Sequence, residues 1–318
     1  MRELTIQKND ADQRLDRFLG KAVPLLPASL AQKYIRLKRI KVNGARAERD
    51  YRLREGDRLQ LYLNDEFFEA PSEENVYLTI VNPRLHIIYE DENIMLLDKP
   101  AGMVVHADEG EKVNTLVNHL LAYLYQKREW KPREENAFTP ALCNRIDRNT
   151  GGIVIAAKNA EALRVLNEKI RERELSKFYL CICLGRPEPP KGRIECFLRK
   201  DSKTNTVRVY HHPVPDGRSA VTLYETLETR DRLSLVEVEL LTGRTHQIRA
   251  SFADMGHPLL GDGKYGVGIV NRRYGETQQA LYSYRLRFDF PTDAGILNYL
   301  RGREFIADEV PFRRKYFG

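Results

Sequence analysis

The sequence predicts an α+β protein in two parts: a small basic α/β unit at the N-terminus, then a larger domain on a mixed, largely antiparallel sheet. Three observations carry this expectation. At 318 residues the chain is long for a single domain. Its charge is lopsided: residues 1–63 hold 15 Lys/Arg against 8 Asp/Glu, the remainder holds 37 of each, and the whole net charge of +7 therefore sits on the small segment. Beyond residue 77, short strand-like runs are common and strand–helix–strand alternations few, which argues against a doubly wound sheet. A hydrophobic content of 42% is ample for a sizeable core.

In the small part, Leu15, Phe18 and Leu19 recur at helical spacing, Pro24 to Pro27 interrupt, and Ser29 can cap a second helix over 30–39. Leu30, Tyr34 and Leu37 form the expected inward stripe of that helix, with Gln32, Lys33, Arg36, Lys38 and Arg39 on its other faces. Strands are expected at 40–42 and 58–63, with turns at Asn43-Gly44 and Glu55-Gly56-Asp57. A basic face within a concentrated charge excess suits phosphate, so Lys33, Arg36 and Arg39 are candidate RNA contacts. Residues 64–76 carry five acids, no base and one Pro, and this composition reads as an acidic linker. The large domain, 77–318, should hold strands at 85–90, 94–98, 153–157, 178–184, 206–210, 219–227, 233–240 and 281–288. Helices are expected at 113–125, 159–173 and 245–255. Asn159 caps the second of these, and Leu163, Leu166 and Ile170 form its stripe.

Several classes lack their parts. No apolar run approaches the roughly 18 residues of a membrane span, and there is no signal-peptide core, so a soluble, cytoplasmic protein is expected. Cys143, Cys181, Cys183 and Cys196 show neither CxxC nor Cys/His zinc spacing; Cys181 and Cys183 share one face of a strand as small apolar residues. P-loop, dinucleotide, HExxH and GxSxG elements are missing, so neither cofactor nor metal is expected. No protein partner is implied, and a monomer is expected.

Four segments could carry chemistry. Asp98-Lys99-Pro100-Ala101-Gly102 is a tight turn at a strand end, by itself an ordinary structural feature. Asn144-Arg145-Ile146-Asp147-Arg148-Asn149-Thr150-Gly151-Gly152 sets a carboxylate between two guanidinium groups, which favour its ionised form, at the mouth of a strand. From this segment alone a structural ion pair is the more economical explanation, and a nucleophile acting on an anionic polymer is the alternative. Lys177-Phe178-Tyr179-Leu180 opens a strand, where Tyr179 is either core or a ring that stacks on a base. Gly243-Arg244-Thr245-His246-Gln247-Ile248-Arg249 opens a helix, and its cations make an anion site. Arg244 and Arg249, five apart, can serve two partners, whereas His246 reads as a structural hydrogen-bonder. Gly256 to Asp262 reads as helix-closing punctuation.

Taken together, Asp98-Lys99-Pro100, Asn144 to Arg148, Lys177 to Tyr179 and Gly243 to Arg249 resemble, in order and spacing over residues 80–290, the RluA-type RNA pseudouridine synthases. The basic N-terminal unit resembles the small RNA-binding domain shared with ribosomal protein S-four. The resemblance implies a pseudouridine synthase fold and an enzyme that isomerises uridine in structured RNA, with ribosomal RNA favoured and tRNA open. It implies that Asp147 is the catalytic carboxylate, that Tyr179 packs on the target base and takes part in later proton removal, and that Arg249 pairs with Asp147. Arg145 then fills the space left by the flipped uridine, and Arg148 and Arg244 join it as RNA contacts. Two positions depart from the family pattern: Asn144 stands where His is usual, and Thr150-Gly151-Gly152 where Thr-Ser-Gly is usual. The rival class is a non-catalytic RNA-binding or ribosome-associated protein with the same fold. A nuclease would need a metal or a His pair.

Overall fold

The computed structural model describes residues 1–68, 72–132 and 134–318, and the chain divides into two compact units. The first gathers Met1–Arg84, Val117–Ala141 and Ala157–Leu163; the second gathers Leu85–Leu116, Leu142–Ala156 and Arg164–Gly318.

In the first unit, strands β1 (Arg2–Thr5), β2 (Ile40–Val42), β3 (Ala45–Arg46) and β4 (Arg58–Leu61) form a sheet in the order β1-β4-β2-β3. Helices α1 (Leu15–Ala22) and α2 (Ala28–Arg36) accompany it, and Leu15, Phe18, Leu19, Ile35, Ile40, Leu59 and Leu61 meet in the core. The β2–β3 hairpin turns on Asn43 and Gly44, both with positive φ, as a two-residue turn matched to strand twist requires.

Helix α2 departs from expectation. It starts at Ala28, and the carbonyl of Pro27, not the side chain of Ser29, takes the first amides, from Leu30 and Ala31. The inward stripe is accordingly rotated: Ala31 and Ile35 are buried, Leu30 and Tyr34 flank them, and Leu37 is 57% exposed beyond the helix end. The left-handed backbone of Lys38 ends the helical path there. Lys33, Arg36 and Arg39 are exposed.

Of the acidic stretch 64–76, residues 69–71 lie outside the described residues. Short 3-10 turns cover Asp65–Phe68 and Ser72–Thr79, and Phe67 and Phe68 pack against the small core. Tyr77 stacks near Tyr125 and Trp130, with ring centroids 5.5 and 5.1 Å away; Tyr125 lies on α3 (Leu116–Gln126). This helix begins later than residue 113 because the Glu111 carboxylate takes the Val113 and Asn114 amides in a turn.

The second unit is organised by an eleven-stranded sheet. Its members are β5 (Ile87–Glu90), β6 (Ile94–Lys99), β7 (Ala141–Leu142), β8 (Gly151–Ala157), β9 (Leu175–Leu184), β10 (Lys191–Asp201), β11 (Thr206–Tyr210), β12 (Arg218–Arg230), β13 (Leu233–Leu240), β14 (Leu281–Phe288) and β15 (Glu304–Ile306). The main order is β11-β10-β12-β13-β9-β14-β8-β6-β5. The sheet is mostly antiparallel; β14 runs parallel to β8. Strand β10 was not anticipated. Ile194, Cys196 and Leu198 do alternate with Arg193, Glu195 and Phe197, but only Cys196 and Leu198 are buried on it, and charged residues make up most of the rest.

Helix α4 (Ala160–Arg171) is capped by Asn159, whose Oδ1 accepts the Ala162 amide at 2.9 Å. Its buried residues are Ala162, Leu166 and Lys169, while Leu163 and Ile170 are half-buried. Lys169 takes a core position because its ammonium meets Glu174 at 2.8 Å, and a paired charge can be buried where a lone one cannot. Helix α5 (Gln247–Asp254) starts two residues later than expected, after His246 at φ +52°. Two short helices, α6 (Gly268–Tyr274) and α7 (Pro311–Phe317), complete the unit. Among the described residues, no helix is long and apolar enough to cross a membrane.

Candidate active site

The loop that carries Asp147 is shaped by the end of β6. Lys99, fully buried, donates to the carbonyls of Pro100, Met103 and Arg148 at 2.9, 2.8 and 2.9 Å. Burial pushes its ammonium down to about 7 against the pull of Asp147 and Asp98. Three carbonyl acceptors need three N–H donors, so the geometry is that of the ammonium. The Gly102 amide adds a bond to the Arg148 carbonyl at 2.8 Å, and the Thr150 amide closes a turn onto the Asp147 carbonyl at 3.0 Å. The Asp98 to Gly102 turn is thus the seat on which the Asp147 loop rests.

Past the loop, the glycine pair lets β8 approach β14. Gly152 has φ +111°, and a Cβ there would lie 2.2 Å from the Ser283 carbonyl oxygen. A Cβ on Gly151 would meet the Tyr282 ring at 2.4 Å, and that ring is held by a 2.6 Å bond from its hydroxyl to Asp98. Gly151, in place of the usual Ser, is matched to this tyrosine. Asn144, in place of the usual His, accepts the Ile155 amide at 2.8 Å and ties the loop's start to β8.

Arg249 reaches Asp147 from the first turns of α5. Its Nη1 donates to Asp147 Oδ2 at 2.7 Å, while Nε and Nη2 form a fork onto both oxygens of Asp262 at 2.7 and 2.9 Å. Side-chain exposure is 27% for Asp147, 6% for Arg249 and 0% for Asp262. Burial opposes the charge on Arg249, but the two carboxylates outweigh it and hold the guanidinium above its usual range. Burial likewise tends to raise Asp262; the Arg249 fork and the Lys264 and Tyr265 amides reverse this and hold it below the ordinary carboxylate value. Asp262 therefore fixes the guanidinium, which then presents one remaining edge to Asp147.

His246 is the second group facing Oδ2, with Nε2 at 3.8 Å. Burial is the main cause that pushes it down to about 4, so it is neutral at physiological pH. Among the described residues no hydrogen bond reaches Asp147 Oδ1. The preceding loop is tied to β12 by Gln247, which accepts from Thr242 and the Arg244 amide and donates to Val221 and Thr222.

Asp147, Arg249, His246 and Gln247 line a cleft of about 310 Å³ together with Arg145, Lys177 and Tyr179, a volume suited to a nucleoside-sized ligand. Burial drives the Tyr179 hydroxyl up to about 12, so the ring enters as a neutral phenol. Of the residues singled out from sequence, Asp147, Tyr179, Arg249, Arg145 and Arg244 converge here. Arg145 is exposed at the cleft, and Arg244 donates to the Ser219 carbonyl at 3.1 Å. Arg148 is not among the lining residues and pairs with Asp108 at 2.8 Å. Lys33, Arg36 and Arg39 belong to the first unit. From sequence, Lys99 was read as part of a strand-end turn, His246 as a structural hydrogen-bonder and Asp262 as part of a helix-closing turn, none with a role at Asp147, and Tyr265 was not singled out. A usable signal for the last two was an acid and a tyrosine among the closely spaced glycines of Gly261 to Gly266.

Sequence comparison identifies the class of protein to which this mostly antiparallel sheet and its cleft belong. A family profile described as RNA pseudouridylate synthase matches residues 93–254, and an S4 domain profile matches 13–59. The chain belongs to the RNA pseudouridine synthase family and is an enzyme that acts on RNA. An uncharacterized RNA pseudouridine synthase of Mycoplasma genitalium is 33% identical over 89% of this chain and 88% of its own length. Ribosomal large subunit pseudouridine synthase C of Vibrio parahaemolyticus is 30% identical over 91% and 88%. Human RNA pseudouridylate synthase domain containing 1 shares the fold, with a TM-score of 0.54, 20% identity, and coverage of 78% of this chain and 96% of its own.

Proposed function

We propose that this enzyme converts uridine to pseudouridine in ribosomal RNA, with Asp147 as the catalytic carboxylate. The observation that carries the assignment is the Asp147–Arg249 pair at 2.7 Å inside the cleft, made through Oδ2, with no hydrogen bond to Oδ1 among the described residues. In the isomerisation the N-glycosidic bond of uridine breaks, the base turns, its C5 joins the ribose, and the proton lost from C5 is balanced by one taken up at the freed N1. Asp147 serves as nucleophile or base, and Arg249 holds it. Tyr179 packs on the flipped base and takes part in the proton removal. Arg145 at the cleft mouth occupies the vacancy in the RNA, and stacking plus filling offset the few kcal/mol, roughly, that flipping costs. Arg148 and Arg244 contact the RNA nearby. Residues 1–63, through Lys33, Arg36 and Arg39, supply phosphate attraction. Ribosomal RNA is favoured by the names of relatives that carry a ribosomal substrate. Acting on that RNA would place the protein in the cytoplasm, and one chain supplies every residue named here.

Pseudouridine mapping tests this in total RNA from cells lacking the gene and carrying either the wild-type protein or Asp147→Ala. Wild type should restore sites in large-subunit ribosomal RNA, and Asp147→Ala should restore none. Sites restored only in tRNA would overturn the substrate assignment, and sites restored by the variant would overturn the role of the carboxylate.

A further inference from the structure

His246 stands immediately before α5 with φ +52° and ψ +22°. Residues other than glycine seldom adopt this left-handed conformation, and Asn tolerates it best. The side chain is buried and lines the cleft with Asp147. Its two ring nitrogens face different neighbours. Nδ1 lies 2.9 Å from the Tyr265 hydroxyl, and Nε2 lies 3.8 Å from Asp147 Oδ2. The Tyr265 oxygen already accepts the Val207 amide at 2.7 Å, which leaves its own proton to point at Nδ1. A neutral imidazole carries one proton. With Nδ1 accepting, that proton is on Nε2 and faces the carboxylate.

We propose that Tyr265 and His246 form a brace for Asp147: Tyr265 sets the imidazole tautomer, and His246 Nε2–H is a second donor to Oδ2 beside Arg249, leaving Oδ1 for the reacting atom. The inference rests on Asp147 being the reacting carboxylate. No proton is transferred, and His246 is a positioning residue. The 3.8 Å separation is longer than a hydrogen bond. Bonds of this kind tighten when substrate closes the site. The same tyrosine ring lies 5.4 Å from the Arg249 guanidinium carbon, so both donors to Oδ2 lean on Tyr265.

The test uses purified full-length protein and RNA from cells lacking the gene, labelled with uridine tritiated at C5, with tritium release as the readout. His246→Ala should lower kcat about 10- to 100-fold while KM moves less than about threefold, as expected when one preorganised donor is lost. Gln places its amide nitrogen at the depth of Nε2, and Asn only at that of Nδ1. His246→Gln should therefore recover to within about fivefold of wild type, and His246→Asn should not. Tyr265→Phe should lower kcat about 3- to 10-fold in the wild-type background and have no further effect on His246→Ala, the coupling expected of one unit. A residue needed only for the left-handed backbone would give the opposite order, Asn above Gln, and that result would overturn the brace. So would wild-type kcat for His246→Ala alongside an inactive Asp147→Ala. An active Asp147→Ala would instead overturn the assignment of the carboxylate. If His246→Ala does not fold, the Gln–Asn comparison and Tyr265→Phe decide.

Discussion

Arg249→Met removes the cation that both Asp147 and Asp262 address while keeping an unbranched chain of similar reach. Asp262 dominates the cost, because its side chain is 0% exposed and that of Asp147 is 27% exposed. Removing one partner of a buried ion pair costs about 3–5 kcal/mol. The Lys264 and Tyr265 amides, at 2.8 and 3.1 Å, still reach Asp262. The lower end, about 3 kcal/mol, is therefore expected. The deficit should also depend on pH. In the native chain Asp262 is held below its ordinary value, so its contribution is present above the unfolded carboxylate value and lost as pH falls through the folded one. Without Arg249, burial prevails and the folded value rises above the unfolded one. The variant then gains stability as pH falls through that raised value. Urea unfolding of both proteins at pH 8 and pH 5 should show a deficit smaller at pH 5 by about 1 kcal/mol or more. A deficit below about 1 kcal/mol, or one equal at the two pH values, would refute the claim that a buried Asp262 depends on this arginine.

Lys99→Met strips three donors, two from the carbonyls of the turn after β6 and one from the Asp147 loop. The Arg148 carbonyl keeps the Gly102 amide, so a loss of about 2–4 kcal/mol in unfolding free energy is expected. A loss under about 1 kcal/mol would show that the loop holds without it. Gly152→Ala puts a Cβ 2.2 Å from the Ser283 carbonyl oxygen at φ +111°, so a cost of about 3 kcal/mol or more and a clearly lower Tm should follow; an unchanged Tm would contradict the close approach of β8 to β14. Reversing Lys33, Arg36 and Arg39 to Glu should reduce the slope of log affinity for RNA against log salt by about 2 to 3, measured by fluorescence anisotropy, with the Asp147 cleft unaltered. An unchanged slope would remove those side chains from the RNA contact.

Legibility from sequence varied with how local the cause was. Strands β8 and β9 were visible because uninterrupted apolar runs can be buried on both faces, and β13 and β14 because apolar residues alternate with polar or charged ones along them. Strand β10 was overlooked because only two of its residues are buried, so its apolar signal is weak, and what holds it in the sheet is backbone pairing with β11 and β12 from elsewhere in the chain. The stripe of α4 was misplaced for a similar reason: Lys169 is buried only because Glu174 answers it. In α2, a two-residue error at the start rotated the whole inward face.

The cleft shows the same division. The charge asymmetry and the strand-rich larger domain follow from composition and order along the chain alone. The motif residues were also visible there, and through their resemblance to a family they implied which carboxylate, ring and guanidinium belong together. Charge spacing by itself pointed Asp147 to its neighbours Arg145 and Arg148. The fold leaves one exposed at the cleft mouth and pairs the other with Asp108. Arg249, 102 positions away, donates to Asp147, and Asp262 orients it. Sequence proximity sets only which charges are near along the chain. Which guanidinium a carboxylate meets is set by where the backbone is pinned, here by the Lys99 ammonium under the Arg148 carbonyl and by Gly152 against β14.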